Sequence, residues 1–79
     1  MNKTLFNIFM LKNRDTQATL AEAMGLPQSA LSVRINGKTE FRQGEINFIR
    51  KRWNLSDQET VDIFFTEEVS EKDTAKKGA

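Results

Sequence analysis

The chain has 79 residues, with no cysteine, histidine or tyrosine, and a formal net charge of +1. That length holds one domain with little core to spare. The missing residue types exclude disulfide staples, the common zinc sites and imidazole catalysis.

The net charge hides an uneven distribution. Residues 1 to 55 carry nine Lys or Arg against four acids, a net +5, whereas residues 56 to 79 carry three lysines against seven acids, a net −4. A basic body followed by an acidic stretch suits a protein that meets nucleic acid on one side, but an ordinary solvated surface has the same character. The apolar run near the N-terminus is too short for a signal peptide, and nothing approaches the ~20 apolar residues of a membrane span. A cytoplasmic protein without a membrane partner is expected.

In chain order, residues 3 to 12 place Leu5, Ile8, Phe9 and Lys12 at helical spacing, with Phe6 and Met10 widening the stripe and Asn2 or Thr4 as the cap. Asn13-Arg14-Asp15 breaks this helix. Thr16 is a good N-cap for a second helix over Gln17 to Met24, which presents Leu20, Ala21 and Met24 on one face. Gly25 stops it. Leu26 is an apolar anchor, and Pro27 suits the start of a third helix because its missing N–H costs nothing there. That helix runs to about Asn36 with Ala30, Leu31 and Ile35 inward, and Asn36-Gly37 ends it. Phe41 folds back on the core after an exposed loop. A fourth helix spans about Gln43 to Trp53 through Ile46, Ile49 and Trp53. Ser56-Asp57-Gln58-Glu59 then matches a capping box, opening a fifth helix that carries Val61, Phe64 and Phe65. Beyond Glu68 the composition lacks the apolar residues that offset ordering entropy, so residues 68–79 are expected to form a disordered tail. The reading is therefore all-α: five short helices in one domain over residues 1–67, then the tail.

Residues 17 to 39, QATLAEAMGLPQSALSVRINGKT, carry the function. Two short helices that meet steeply need a small residue at the crossing (Ala21), a turn glycine (Gly25) and apolar grips at Leu20, Met24, Leu26, Leu31 and Ile35. With these pinned inside, Gln28, Ser29, Ser32 and Val33 project outward. Short, mostly polar side chains suit base edges in a major groove about 12 Å wide.

This segment resembles the helix-turn-helix of the Cro/lambda-repressor family of phage regulators. The resemblance rests on Gln17, Leu20-Ala21, Gly25, Gln28, Leu31 and the closing Asn36-Gly37-Lys38-Thr39. The continuation FRQGEINFIRKRWNLSDQETVDIFF is similar to the fourth and fifth helices of small Cro-type regulators, so the likeness covers about residues 4 to 65. It departs from the family at Arg34, where many relatives keep an apolar residue; here the apolar position shifts to Ile35, which leaves the rotation of the recognition helix to the fold.

The resemblance implies a lambda-repressor-like fold and sequence-specific binding to double-stranded operator DNA in the lysis–lysogeny switch of a temperate phage. Gln17 would bond a phosphate and brace the recognition helix. Gln28 would read a base, its amide matching adenine N6 and N7. Ser29 and Ser32 would touch a base or the backbone, and Val33 would pack on a thymine methyl. Arg34, Asn36, Lys38 and Arg42 would clamp phosphates. Because palindromic operators are read by dimers, the last helix around Val61 to Phe65 is the candidate contact for a homodimer. A second reading is an antirepressor, a modulator that binds the phage repressor protein itself. An enzyme is disfavoured: there is no Gly-rich phosphate loop and no cluster of acids. No cofactor or metal is expected.

Overall fold

The computed structural model describes residues 1–66, which form α1 (Lys3–Lys12), α2 (Gln17–Met24), α3 (Gln28–Ile35), α4 (Gln43–Arg52) and α5 (Asp57–Phe64), with no strand among them. None of these helices is long and apolar enough to cross a membrane. The expected tail at 68–79 lies outside the described residues.

Local chemistry explains where each helix begins. The Asn2 side chain accepts from the Leu5 amide at the head of α1. At α2, Thr16 Oγ1 accepts from the Thr19 amide, and Thr19 Oγ1 accepts from the Thr16 amide, a capping box with threonine in place of the usual glutamate. Ser56 and Glu59 make the expected reciprocal pair at α5. Pro27 caps α3 in an extended conformation, so that helix begins one residue later than the sequence suggested. Trp53 caps α4 instead of ending it.

Four of the helices end in the same way. At each end, a residue with positive φ lets its own amide and the next one bond back to carbonyls of the last turn. Gly25 (φ +73) and Leu26 bond Glu22 and Ala21; Gly37 (φ +82) and Lys38 bond Arg34 and Val33. Arg14 (φ 55) with Asp15, and Asn54 (φ 52) with Leu55, do the same for α1 and α4. An L-residue with a long side chain is strained in this conformation, whereas asparagine tolerates it better. Arg14→Gly is therefore expected to stabilise the protein by about 1 kcal/mol, read as a higher urea midpoint at unchanged slope.

The core comprises Phe6, Leu20, Ala21, Leu31, Ile35, Ile46, Ile49, Trp53, Leu55, Ile63 and Phe64. Two helices are rotated from their expected setting. On α1, Phe6 is fully buried with Leu5, Phe9 and Met10 packed beside it, while Ile8 is 46% exposed. Both settings satisfy an i, i+3, i+4 pattern. The one adopted inserts the Phe6 ring among Phe41, Trp53 and Phe64. On α5, Ile63 and Phe64 point inward with Thr60, whereas Val61 and Phe65 face outward. Ala30, expected inward, is only partly covered.

Candidate nucleic-acid interface

α2 and α3 are joined by the turn Gly25–Leu26–Pro27 and form the most extensively packed pair of helices. Leu20 and Ala21 of α2 and Leu31 and Ile35 of α3 are the buried residues of this pair. That pinning sets the rotation of α3. At 100° per residue, Gln28, Ser32, Asn36, Ser29 and Val33 fall within an arc of about 140°, opposite Ala30, Leu31 and Arg34. Gln28, Ser29 and Asn36 are exposed, Ser32 is partly exposed, and Val33 is at the margin of exposure. The structure thus brings five of the expected contact residues onto one open face.

Arg34 is placed elsewhere. Its Nε donates to Glu45 Oε1 at 3.0 Å and one terminal nitrogen donates to the Ala30 carbonyl at 2.8 Å. Only 12% of its side chain is exposed. Arg34 is a strut between α3 and the first turn of α4, turned away from the open face. Glu45 also accepts from the Arg42 amide. Burial disfavours the Glu45 carboxylate, but the Arg42 amide and the Arg34 guanidinium outweigh it and hold its pKa below the ordinary value.

Gln17 is the first residue of α2 and partly exposed, and its side chain makes no hydrogen bond to α3 or to any other described residue. The bracing contact expected of it is therefore not made among the described residues. It stands beside the first amides of α2, which lack intrahelical partners. α3 begins the same way, because Pro27 offers no side-chain cap and the Gln28 and Ser29 amides remain open.

Lys38 and Arg42 are exposed and make no salt bridge among the described residues, though the Arg42 charge also helps to lower the Glu45 pKa. Two other cations of the basic body have acidic partners, Arg50 at the surface with Asp57 and Arg52 with the buried Asp15.

Sequence reasoning missed two residues here. Lys3, at the head of α1, donates to Asn36 Oδ1 at 2.8 Å, which places a cation from the other end of the domain at the C-terminal end of α3. Asp15 was read only as part of a helix break, yet it is 6% exposed and accepts four hydrogen bonds. Arg52 Nε and a terminal Arg52 nitrogen reach it at 2.7 and 3.0 Å, Trp53 Nε1 at 2.8 Å and Thr19 Oγ1 at 2.6 Å. It ties the start of α2 to the end of α4, and with α2 it carries α3. The partners that matter most, Asn36 for Lys3 and Arg52 and Trp53 for Asp15, lie more than 30 residues away, beyond any local pattern.

Among the described residues no three acidic side chains gather into a metal cage. A shallow cleft of about 320 Å³ between the loop after α3 and α5 is floored by Phe41, Ile46 and Phe64. Its one guanidinium, Arg34, is already committed to Glu45.

No family model, curated protein or solved structure matches the chain.

Proposed function

We propose that the protein is a sequence-specific DNA-binding transcriptional regulator, a Cro-like repressor of a temperate-phage genetic switch, in which α2 and α3 form the helix-turn-helix. One observation carries this reading. The face of α3 left open by core packing holds Gln28, Ser29, Ser32, Val33 and Asn36, and the exposed cations Lys38 and Arg42 follow it. Small polar groups on a rigid helix, with cations beyond them, suit a helix laid in the major groove with phosphates gripped at its end. Gln28 offers a donor and an acceptor to adenine, and Val33 offers methyl groups to thymine. Binding is the entire activity, and counterion release makes it salt-dependent.

The test is a gel-shift titration on DNA from the region beside the protein's own gene, at two salt concentrations, with and without the neighbouring repressor. Tight, salt-sensitive and selective shifting by the protein alone is expected. In the same assay Gln28→Ala should cost ~1–3 kcal/mol and relax sequence preference, whereas Lys38→Ala should weaken all sequences alike. Equal losses on cognate and scrambled DNA for both variants would remove Gln28 as a reader.

One observation favours a second reading, that of an antirepressor. Val61 on α5 and Phe65, the residue that caps its C-terminal end, are 45% and 61% exposed, which gives an apolar surface for a protein partner. That surface suits either the phage repressor or a second copy of this chain. Loss or supershift of the repressor's band, without selective shifting by the protein alone, would move the function there.

A further inference from the structure

Lys3 belongs to no helix-turn-helix, yet the fold delivers its ammonium to the end of α3. The delivery is rigid. The Asn2 amide donates to the Ile63 carbonyl at 2.7 Å, the Asn2 side chain caps α1 through Leu5, and Phe6 one turn on is fully buried. The backbone at position 3 is therefore fixed from both sides. The side chain then spans to Asn36 Oδ1 at 2.8 Å, and Asn36 Nδ2 donates onward to Ser32 Oγ at 3.3 Å.

The direction of this chain follows from the chemistry of its first member. A lysine ammonium has three protons to donate and cannot accept. It must therefore meet the amide oxygen of Asn36, which turns the amide nitrogen toward Ser32. Ser32 Oγ receives that bond, so its own proton is free for an acceptor outside the protein. Lys3 uses one proton on Asn36 and keeps two, and it has no acidic partner among the described residues.

Building on the DNA-binding reading, we infer that Lys3 is a phosphate contact of the same interface and that, through Asn36, it sets Ser32 as a hydrogen-bond donor to the DNA. The interface then extends beyond the two-helix motif onto α1. Lys3 grips the backbone near the C-terminal end of the recognition helix, and Ser32 favours acceptors such as a purine N7 or a phosphate oxygen. Lysine chains are mobile at an open surface, but here the Asn36 bond holds the ammonium beside the helix before DNA arrives, which lowers the ordering cost of binding.

The experiment compares full-length wild type, Lys3→Met and Lys3→Arg on the cognate site and on scrambled DNA across a salt series. Methionine keeps the helical propensity and the aliphatic stem of an exposed residue, so the fold is retained, and thermal melting checks this. Lys3→Met is expected to weaken both DNAs by several-fold and to reduce the slope of log K against log salt by about one. Lys3→Arg should keep the slope. In the free protein, Lys3→Met should also move the Asn36 side-chain amide resonances. An unchanged slope with wild type still binding in a salt-sensitive manner would overturn the Lys3 contact and leave the DNA reading standing. Unmoved Asn36 resonances would overturn the relay to Ser32. Absence of salt-sensitive binding by wild type itself would overturn both readings.

Discussion

Phe6→Ala is expected to remove about 4 kcal/mol of stability, the largest effect of any single truncation in this fold. The Phe6 side chain is fully buried, and its ring stacks on Phe41 at a centroid distance of 5.7 Å and meets Trp53 and Phe64 edge-on at 5.1 and 6.1 Å. These partners come from the loop before α4, the cap of α4 and the end of α5, so one ring joins three separate parts of the chain to α1. Truncation loses the transfer energy of the ring and leaves a cavity that neighbours fill only in part, at a cost of about 3–5 kcal/mol. Lost edge and stacking contacts fall within the same range. A domain this small has on the order of 5 kcal/mol in total. Phe6→Ala should thus lower the melting temperature by roughly 15–30 °C. Ile8→Ala is the matched control, because Ile8 is 46% exposed, and it should cost less than about 1 kcal/mol. Equal losses in circular-dichroism melts of the two variants would mean that α1 is not rotated as described.

That comparison marks the limit of what the sequence discloses. Helix boundaries were legible because the signals are local: Thr16, Gly25, Gly37 and the Ser56–Glu59 pair each act within one turn. The open face of α3 was legible in outline from Leu31 and Ile35, but its exact rotation was not, because Arg34 stands where an apolar residue would have fixed it. Rotation of α1 and α5 was not, because both helices are apolar on more than one side. Leu5, Ile8 and Phe9 form as regular a stripe as Phe6, Phe9 and Met10, and the choice is made by aromatic partners 35 to 58 positions later. Charge was the least legible. Arg34 and Lys38 look alike as sequence, but Glu45 engages one and leaves the other free. Lys3 counted only toward the basic charge until the fold set it against Asn36.

Asp15 is where that illegible part matters most for stability. Asp15→Asn is expected to cost about 3 kcal/mol at neutral pH, a loss typical of breaking a buried ion pair from one side. All four groups that reach the carboxylate are donors: Arg52 with two nitrogens, Trp53 Nε1 and Thr19 Oγ1. The asparagine amide is nearly isosteric but presents its own NH₂ to part of that set, so the change tests acceptor capacity and not volume. The forked Arg52 guanidinium holds the Asp15 carboxyl well below the usual carboxylate range. Burial opposes this, while Thr19 and Trp53 reinforce it. A carboxyl whose pKa is depressed by folding contributes its full stability above its unfolded value of about 3.9, and that contribution is lost as pH falls through the folded value. The wild type should therefore keep this contribution from neutral pH down to about pH 5 and lose it progressively in stronger acid. Asp15→Asn has no such proton to take up. Its deficit, measured by urea unfolding, should be level from pH 7 down to about pH 5 and shrink from there toward pH 2. A deficit that stayed constant over that range would mean that shape, and not charge, holds the site. Arg52→Lys separates the fork from the charge: the ammonium keeps the attraction but loses the second bond, at about 1 kcal/mol. Because Asp15 immediately precedes the Thr16 cap of α2, its loss also frees the start of that helix from the end of α4. If the proposed DNA-binding function holds, DNA binding by Asp15→Asn should then fall together with its stability, and cooling or a stabilising osmolyte should restore both.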